Sequence, residues 1–343
     1  MRTSRRTFLV RSVAGGGALA LGLGGCRCTE GYAPAAPAAA GGFEPGYLRL
    51  EREGRLERVE RELWRLYDRC TLCPRKSKKK RSWGEVGECK TTSRMRVASA
   101  APHFGEEKPL VGRRGSGTIF FSFCNLLCCF CQNWEIAHRG DGTLVSEEQL
   151  ADVMLALQRQ GCHNINLVTP THVTPGIVRA LRIAIRKGLR LPLVYNTGGY
   201  DSLDVIRLLD GVVDIYMPDF KFQDAKIAAT YLRKCTNYPQ VAAAVIKEMH
   251  RQVGLLKVDE RGVARRGLIL RHLVMPNNLA GTDRFVKWVA RELSPRTFVN
   301  LMDQYHPAHR AFRHPEIARR LTAAEWAQAT EWAIEAGLEH WRG

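Results

Sequence analysis

From Gly117 to the C-terminus, short apolar runs alternate with amphipathic segments six times. The runs are GTIFFS (117–122), NINLVT (164–169), LPLVYN (191–196), VVDIYMPDF (212–220), GLILRHLVMP (267–276) and TFVNLMDQY (297–305). Their apolar residues are consecutive rather than alternate. Strands of that kind are buried on both faces, which a parallel sheet covered by helices provides. The segments between them read as helices. Ser146 and Gln149 are placed as a capping box for a helix over 146–161. Thr174 as cap and Pro175 as first helical residue open a second, which Gly188 ends. Further helices are expected over 223–233, 239–253 and 282–293, and from Thr322 onward. Repeated strand–helix units join by right-handed crossovers. The fold class is therefore α/β, as an open doubly wound sheet or a partial barrel. Both place their sites at the carboxyl ends of the strands. Polar residues gather there: Thr169 and His172, Asn196, Asp219 and Lys221, Arg271 and His272, Gln304 and His306.

The first strand runs into FSFCNLLCCFCQN, with Cys124, Cys128, Cys129 and Cys131 inside eight residues. The chain has eleven cysteines, and their clustering favours metal over disulfides. Cys124, Cys128 and Cys131 form C-x3-C-x2-C. Three thiolates on one loop cap three corners of an iron–sulfur cubane and leave the fourth iron open to a small molecule. A ferredoxin closes that corner with a fourth cysteine. The alternative is a zinc site using Cys128 and Cys131. Cys129 is out of phase and reads as a packing residue. Gln132 and Asn133 are placed to orient the loop.

This motif resembles that of the radical S-adenosylmethionine (SAM) superfamily. Further blocks, PHFGEEKPLVGRRGSG, GCHNINLVTPTHVTP, LPLVYNTGGYDS, VVDIYMPDFKF and RHLVMP with VNLMDQYHP, resemble an uncharacterised branch similar to pyruvate formate-lyase activating enzyme, over about residues 65 to 338. The resemblance implies a partial (β/α)6 TIM-like barrel with an N-terminal cysteine-containing extension. It implies a [4Fe-4S] cluster on Cys124, Cys128 and Cys131, and SAM chelating the open iron. Reduction would cleave SAM to a 5′-deoxyadenosyl radical that takes a hydrogen atom from a protein or small-molecule substrate. An electron donor is implied as well. Where the family carries a Gly-Gly-Glu stretch for the SAM amino group, this chain has Thr169-Pro170-Thr171-His172, so Thr169 and Thr171 would supply oxygens. Asn196, with Gly198 and Gly199, would contact SAM. Asp219 and Lys221 match an Asp-Leu-Lys segment, with Lys221 on the SAM carboxylate. Arg271 would play a similar part, and His306 would lie near the adenosine. His103, His163, His250, His309, His314 and His340 read as structural or surface residues.

A second segment, CTLCPRKSKKKRSWGEVGEC, holds Cys70, Cys73 and Cys89. The similar family has a fourth cysteine where this chain has Ser77. A second metal site is one expectation here and metal-free loop packing the other. The basic run RKSKKKR (75–81) lacks interleaved aromatic residues, so it reads as a solvated loop and no nucleic acid is expected. A charged helix is expected over 55–69.

The N-terminus begins MRTSRRTFLVRSVAGGGALALGLGGC. Its twin arginine, Arg5-Arg6, and short apolar stretch resemble a twin-arginine export signal, and Cys26 stands where a lipoprotein is lipidated. Cleavage near Ala36-Pro37-Ala38 without a lipid is the alternative. The expected organisation is a signal over 1–26, an Ala/Pro/Gly linker over 27–47, a helical and cysteine-containing extension over 48–112, and a barrel over 113–343. Location would be periplasmic or membrane-anchored, with a cytoplasmic alternative. A net charge of +18 suits anionic partners. A non-catalytic envelope iron–sulfur protein for electron transfer or binding is the competing function.

Overall fold

Burial on both faces of the six apolar runs decides the architecture. In a computed structural model describing residues 43–341, the elements follow in this order: α1 (Gly46–Arg52), α2 (Arg55–Arg65), β1 (Met95–His103), α3 (Lys108–Val111), β2 (Ser116–Phe121), β3 (Thr143–Val145), α4 (Glu147–Arg159), β4 (Ile165–Val168), α5 (Thr174–Arg186), β5 (Leu193–Thr197), α6 (Leu203–Leu208), β6 (Ile215–Pro218), α7 (Ala225–Tyr231), α8 (Tyr238–Val253), β7 (Lys257–Val258), β8 (Ala264–Leu273), α9 (Thr282–Glu292), β9 (Phe298–Met302) and α10 (Ala323–Glu335). The export signal, Cys26 and the linker up to residue 42 lie outside the described residues. Among those described, no helix is long and apolar enough to cross a membrane.

The six expected strands are β2, β4, β5, β6, β8 and β9, which pair in that order and all in parallel. The sheet does not close on itself. It is a partial (β/α)6 barrel. Three antiparallel strands extend it: β1 on β2, β3 on β1, and β7 on the amino half of β8.

Local chemistry places the helices. Ser146 and Gln149 form the expected capping box at α4, and Thr322 with Glu325 forms one at α10. Thr174 is not the cap of α5 but its first residue, behind Val173. Its hydroxyl donates to the Pro170 carbonyl at 3.1 Å and meets the Tyr195 hydroxyl at 3.0 Å, so it does not receive a helix N–H.

The expected helix over 55–69 ends at Arg65, and a separate α1 precedes it across Gly54, which sits at φ +69. α1 starts at Gly46, inside the segment read as linker. It is tied down there by Asp214, whose carboxylate accepts the N–H of Gly46 at 2.9 Å and that of Leu193 at 3.0 Å. Tyr47, Leu50, Leu56, Leu63 and Tyr67 are buried in the same core as α5. Arg182 of α5 pairs with Glu51 at 2.9 Å and Glu60 at 2.8 Å.

α3 fills the amino end of the barrel. Leu110 is fully buried against Val194, Ile215, Met217, Ala264 and Ile269, and its carbonyl accepts the Asn164 amide at 2.9 Å. That plug carries the preceding residues, Glu106 and Glu107, into the lumen.

Candidate functional site

The loop after β2 is shaped by two residues with left-handed backbone, Phe123 at φ +70 and Leu127 at φ +52. The N–H of Leu126 donates to the sulfur of Cys124 at 3.3 Å. Phe130 is buried edge-on against Phe222 and Tyr305, with ring centroids 5.9 and 6.2 Å away. Leu126 rests on Gly198, where an added Cβ would stand 2.5 Å from its methyl group. Arg75 reaches in from the extension. It donates to the carbonyls of Asn125, Leu126, Leu232 and Arg233 and to the sulfur of Cys235. The Asn125 amide donates to the Tyr200 carbonyl at 2.6 Å. The loop is thus held by both the extension and the β5 turn.

Burial pushes the Cys128 thiol well above its ordinary range, and the nearby thiols of Cys131 and Cys124 add to this while Lys221 opposes it. Cys131 is pushed up to about 11 by burial and by Cys124. Ionising these two thiols side by side needs a compensating cation. An iron cluster supplies it, so the donor set fits one. Among the described residues no group of three or more His, Cys, Asp or Glu side chains is placed to hold a single metal ion. Cys129 is tied into the fold through its backbone: its N–H donates to Tyr231 at 2.9 Å and its carbonyl accepts from Arg310 at 2.8 Å.

Four of the expected SAM residues meet at neighbouring strand ends. Lys221 Nζ lies 2.5 Å from Asp219 Oδ2. Arg271 donates from Nε to Asp219 Oδ1 at 2.8 Å and from Nη2 to Asn196 Oδ1 at 2.6 Å. Burial alone would raise the Asp219 carboxyl, but Arg271 and Lys221 outweigh it and hold it below the usual range. The Tyr238 hydroxyl accepts the Lys221 N–H and donates to the Gly198 carbonyl, each at 2.9 Å, joining the β5 and β6 ends. Gly199 sits at φ +76, and a Cβ there would stand 2.3 Å from the Asp219 carbonyl. Only glycine meets both conditions.

Thr169 is half-buried at φ +61, and its N–H donates to the Asn196 carbonyl at 2.9 Å. Thr171 is directed inward instead. Its hydroxyl is buried, donating to Asp201 at 2.7 Å and meeting Thr197 at 3.2 Å. Its proton is thereby engaged by Asp201, and the side chain is 1% exposed. His172 is buried too, with Nε2 on the Ser122 carbonyl at 2.8 Å. His306 stands at the loop's exit, with Nδ1 3.2 Å from the Gln132 amide.

A cleft of about 1030 Å³ opens beside this network, lined by Phe120, Asn133, Val168, Asn196, Arg271 and Met302 among others. Two of its lining residues, Glu106 and Glu107, escaped the sequence reading. The only signal was a pair of adjacent acids just upstream of the first strand.

Cys70, Cys73 and Cys89 are all buried. Burial pushes Cys73 up to about 12 and raises Cys89 as well. Beside Cys70 and Cys89 lies a cation, the wholly buried guanidinium of Arg81. It donates to Cys70 at 3.6 Å, to the carbonyls of Thr92 and His172 at 2.6 and 2.8 Å, and stacks on Tyr67 at 4.6 Å.

Residues 118–252 match the family model of the Radical SAM superfamily. An uncharacterized protein of Methanocaldococcus jannaschii is 35% identical over 245 residues, covering 69% of this chain and 66% of the relative, just under two thirds of its length. The matched segment runs from β2 to α8 and contains the three-cysteine loop, Asn196, Asp219 and Lys221. This chain therefore carries a radical SAM superfamily domain.

Proposed function

We propose that the protein is a radical SAM enzyme that reductively cleaves SAM and takes a hydrogen atom from a substrate held in the lumen. The observation that carries this reading is the three-cysteine loop standing beside the Asp219, Lys221, Arg271 and Asn196 network, with Lys221 close enough to act on the Cys128 thiol and Asn196 and Arg271 lining the adjoining cleft. When bound, a [4Fe-4S] cluster and SAM supply one-electron cleavage of a carbon–sulfur bond and hydrogen-atom abstraction. Cys124, Cys128 and Cys131 would ligate three irons. An ammonium has three donors, so Lys221 keeps two beyond its bond to Asp219, directed by the Tyr238 tether on its backbone. These suit the SAM carboxylate. The Asn196 oxygen is taken by Arg271, which leaves its amide hydrogens to donate. Thr169 is the hydroxyl available near the SAM amino group, and His306 the ring near the adenosine. Phe120, Val168 and Met302 add apolar surface to a cleft lined mostly by polar side chains.

A protein substrate, as for an activating enzyme, is the finer reading. Phe104, 64% exposed at the cleft, gives such a partner an apolar foothold. Export through the first 26 residues belongs to the same proposal, and a full-length fusion found only in the cytosol with an uncleaved N-terminus rejects it.

The test is anaerobic reconstitution followed by addition of dithionite and SAM. The expected result is release of 5′-deoxyadenosine, absent from Cys124→Ala. A redox-active cluster that is indifferent to SAM would instead establish the electron-transfer function.

A further inference from the structure

Three carboxylates and two cations are largely buried together in the lumen. Glu106, Glu107 and Asp219 surround Arg271 and Lys221, both already engaged by Asp219, while the exposed Lys108 lines the same cleft. The remaining nitrogen of Arg271, Nη1, stands 3.9 Å from Glu106 Oε2 and 3.9 Å from Glu107 Oε1, beyond hydrogen-bond reach. His103 lies 3.3 Å from Glu106 on the open side, with a side chain 45% exposed. Glu107 is 5% exposed. One of its oxygens accepts the Asn300 amide at 3.1 Å, and the other, Oε2, has no hydrogen-bond partner among the described residues. Both glutamates and Asn300 line the 1030 Å³ cleft, together with Asn133, two residues beyond Cys131.

A network built only for stability would close these ion pairs to direct contact. Here a buried carboxylate oxygen is left without a partner on a residue that lines a cavity, which is costly unless something moves in to satisfy it. A cationic hydrogen-bond donor does so at the least cost, with Arg271 and Asp219 standing between it and the SAM carboxylate contacts proposed for Lys221.

We infer that Glu106 and Glu107 form a subsite for a positively charged, N–H-bearing group of the substrate, an alkylammonium or guanidinium that enters the lumen and donates to Glu107 Oε2. This rests on the radical SAM reading and specifies the class of substrate that reading leaves open. The rest of the molecule works against unspecific binding of such a group. A chain of net charge +18 draws anions to its surface, so selective uptake of a small cation would report the lumen.

The experiment uses the anaerobically reconstituted full chain with SAM present. Calorimetry compares cadaverine with 1,5-pentanediol and with glutarate, three probes of similar length carrying positive, zero and negative charge. Cadaverine alone is expected to bind, at least tenfold more weakly to Glu107→Gln and to Glu106→Gln, while SAM affinity in both variants stays within twofold. Equal binding of the diol, preference for glutarate, or no diamine binding to the loaded protein overturns the subsite. A loss of SAM affinity in the variants also overturns it, because the carboxylates would then serve SAM. Should Glu107→Gln fail to fold, Glu106→Gln carries the same comparison. Release of 5′-deoxyadenosine from the same preparations reports the reaction separately. Release without selective diamine binding removes the subsite alone, and diamine binding without release removes the proposed reaction alone.

Discussion

Asp219 holds two cations that would otherwise be stranded in a mostly buried site. Removing one partner of such a set costs about 3–5 kcal/mol, because the other charges stay buried and unpaired. Asp219→Ala is therefore expected to lower unfolding free energy by about that amount in urea titrations. Its carboxyl is held below the usual range, so its contribution is complete above the unfolded value of about 3.9 and disappears as pH falls through the folded one. Among the central cysteines the contrast is sharper. Cys129 meets the fold through backbone hydrogen bonds that any side chain preserves. Cys129→Ala should retain the iron content and visible absorbance of the wild type after reconstitution, whereas Cys124→Ala should lose both.

Two elements grip the cluster loop, the extension through Arg75 and the β5 turn through Gly198 and Gly199. Arg75→Ala strands the carbonyls of Asn125 and Leu126 and should destabilise the loop by about 2 kcal/mol. The readouts are lower iron retention and a shifted cluster potential, both partly restored in Arg75→Lys. Gly199→Ala places a Cβ against the Asp219 carbonyl in a left-handed conformation, a strain of about 1–3 kcal/mol before the overlap is counted. It should lower the melting temperature and weaken SAM binding together. The six parallel strands were legible because burial on both faces writes consecutive apolar residues into each. β1 was not, because Met95–His103 is an extension of the sheet with largely half-exposed or exposed residues, and its partners are chosen by the fold. The same reason separates the site residues. Asn196, Asp219, Lys221 and Arg271 stand at strand ends, where sequence order predicts proximity. Glu106 and Glu107 reach Arg271 only because α3 turns back into the barrel. Thr171 turns its hydroxyl to Asp201, a partner thirty positions downstream that strand order does not reveal.

Across the whole molecule, buried titrating groups pull stability in opposite directions with pH. Burial lowers His172 to about 3 and His272 to about 4. The unfolded chain then takes up their protons first, and stability falls as pH drops below about 6.5. Burial raises Asp214 to about 7. The folded chain holds that proton more tightly, so its contribution is complete below about 3.9 and is lost as pH rises through 7. Asp214→Asn removes the second effect only. Its unfolding free energy should climb more steeply than the wild type's between pH 5 and pH 7, and urea titrations at several pH values read the difference in slope. The plug formed by α3 acts at the same scale. With Leu110 plugging the amino end, the cleft is approached from the side where Asn196 and Arg271 stand, and a protein substrate of the proposed enzyme would offer it a protruding loop or tail.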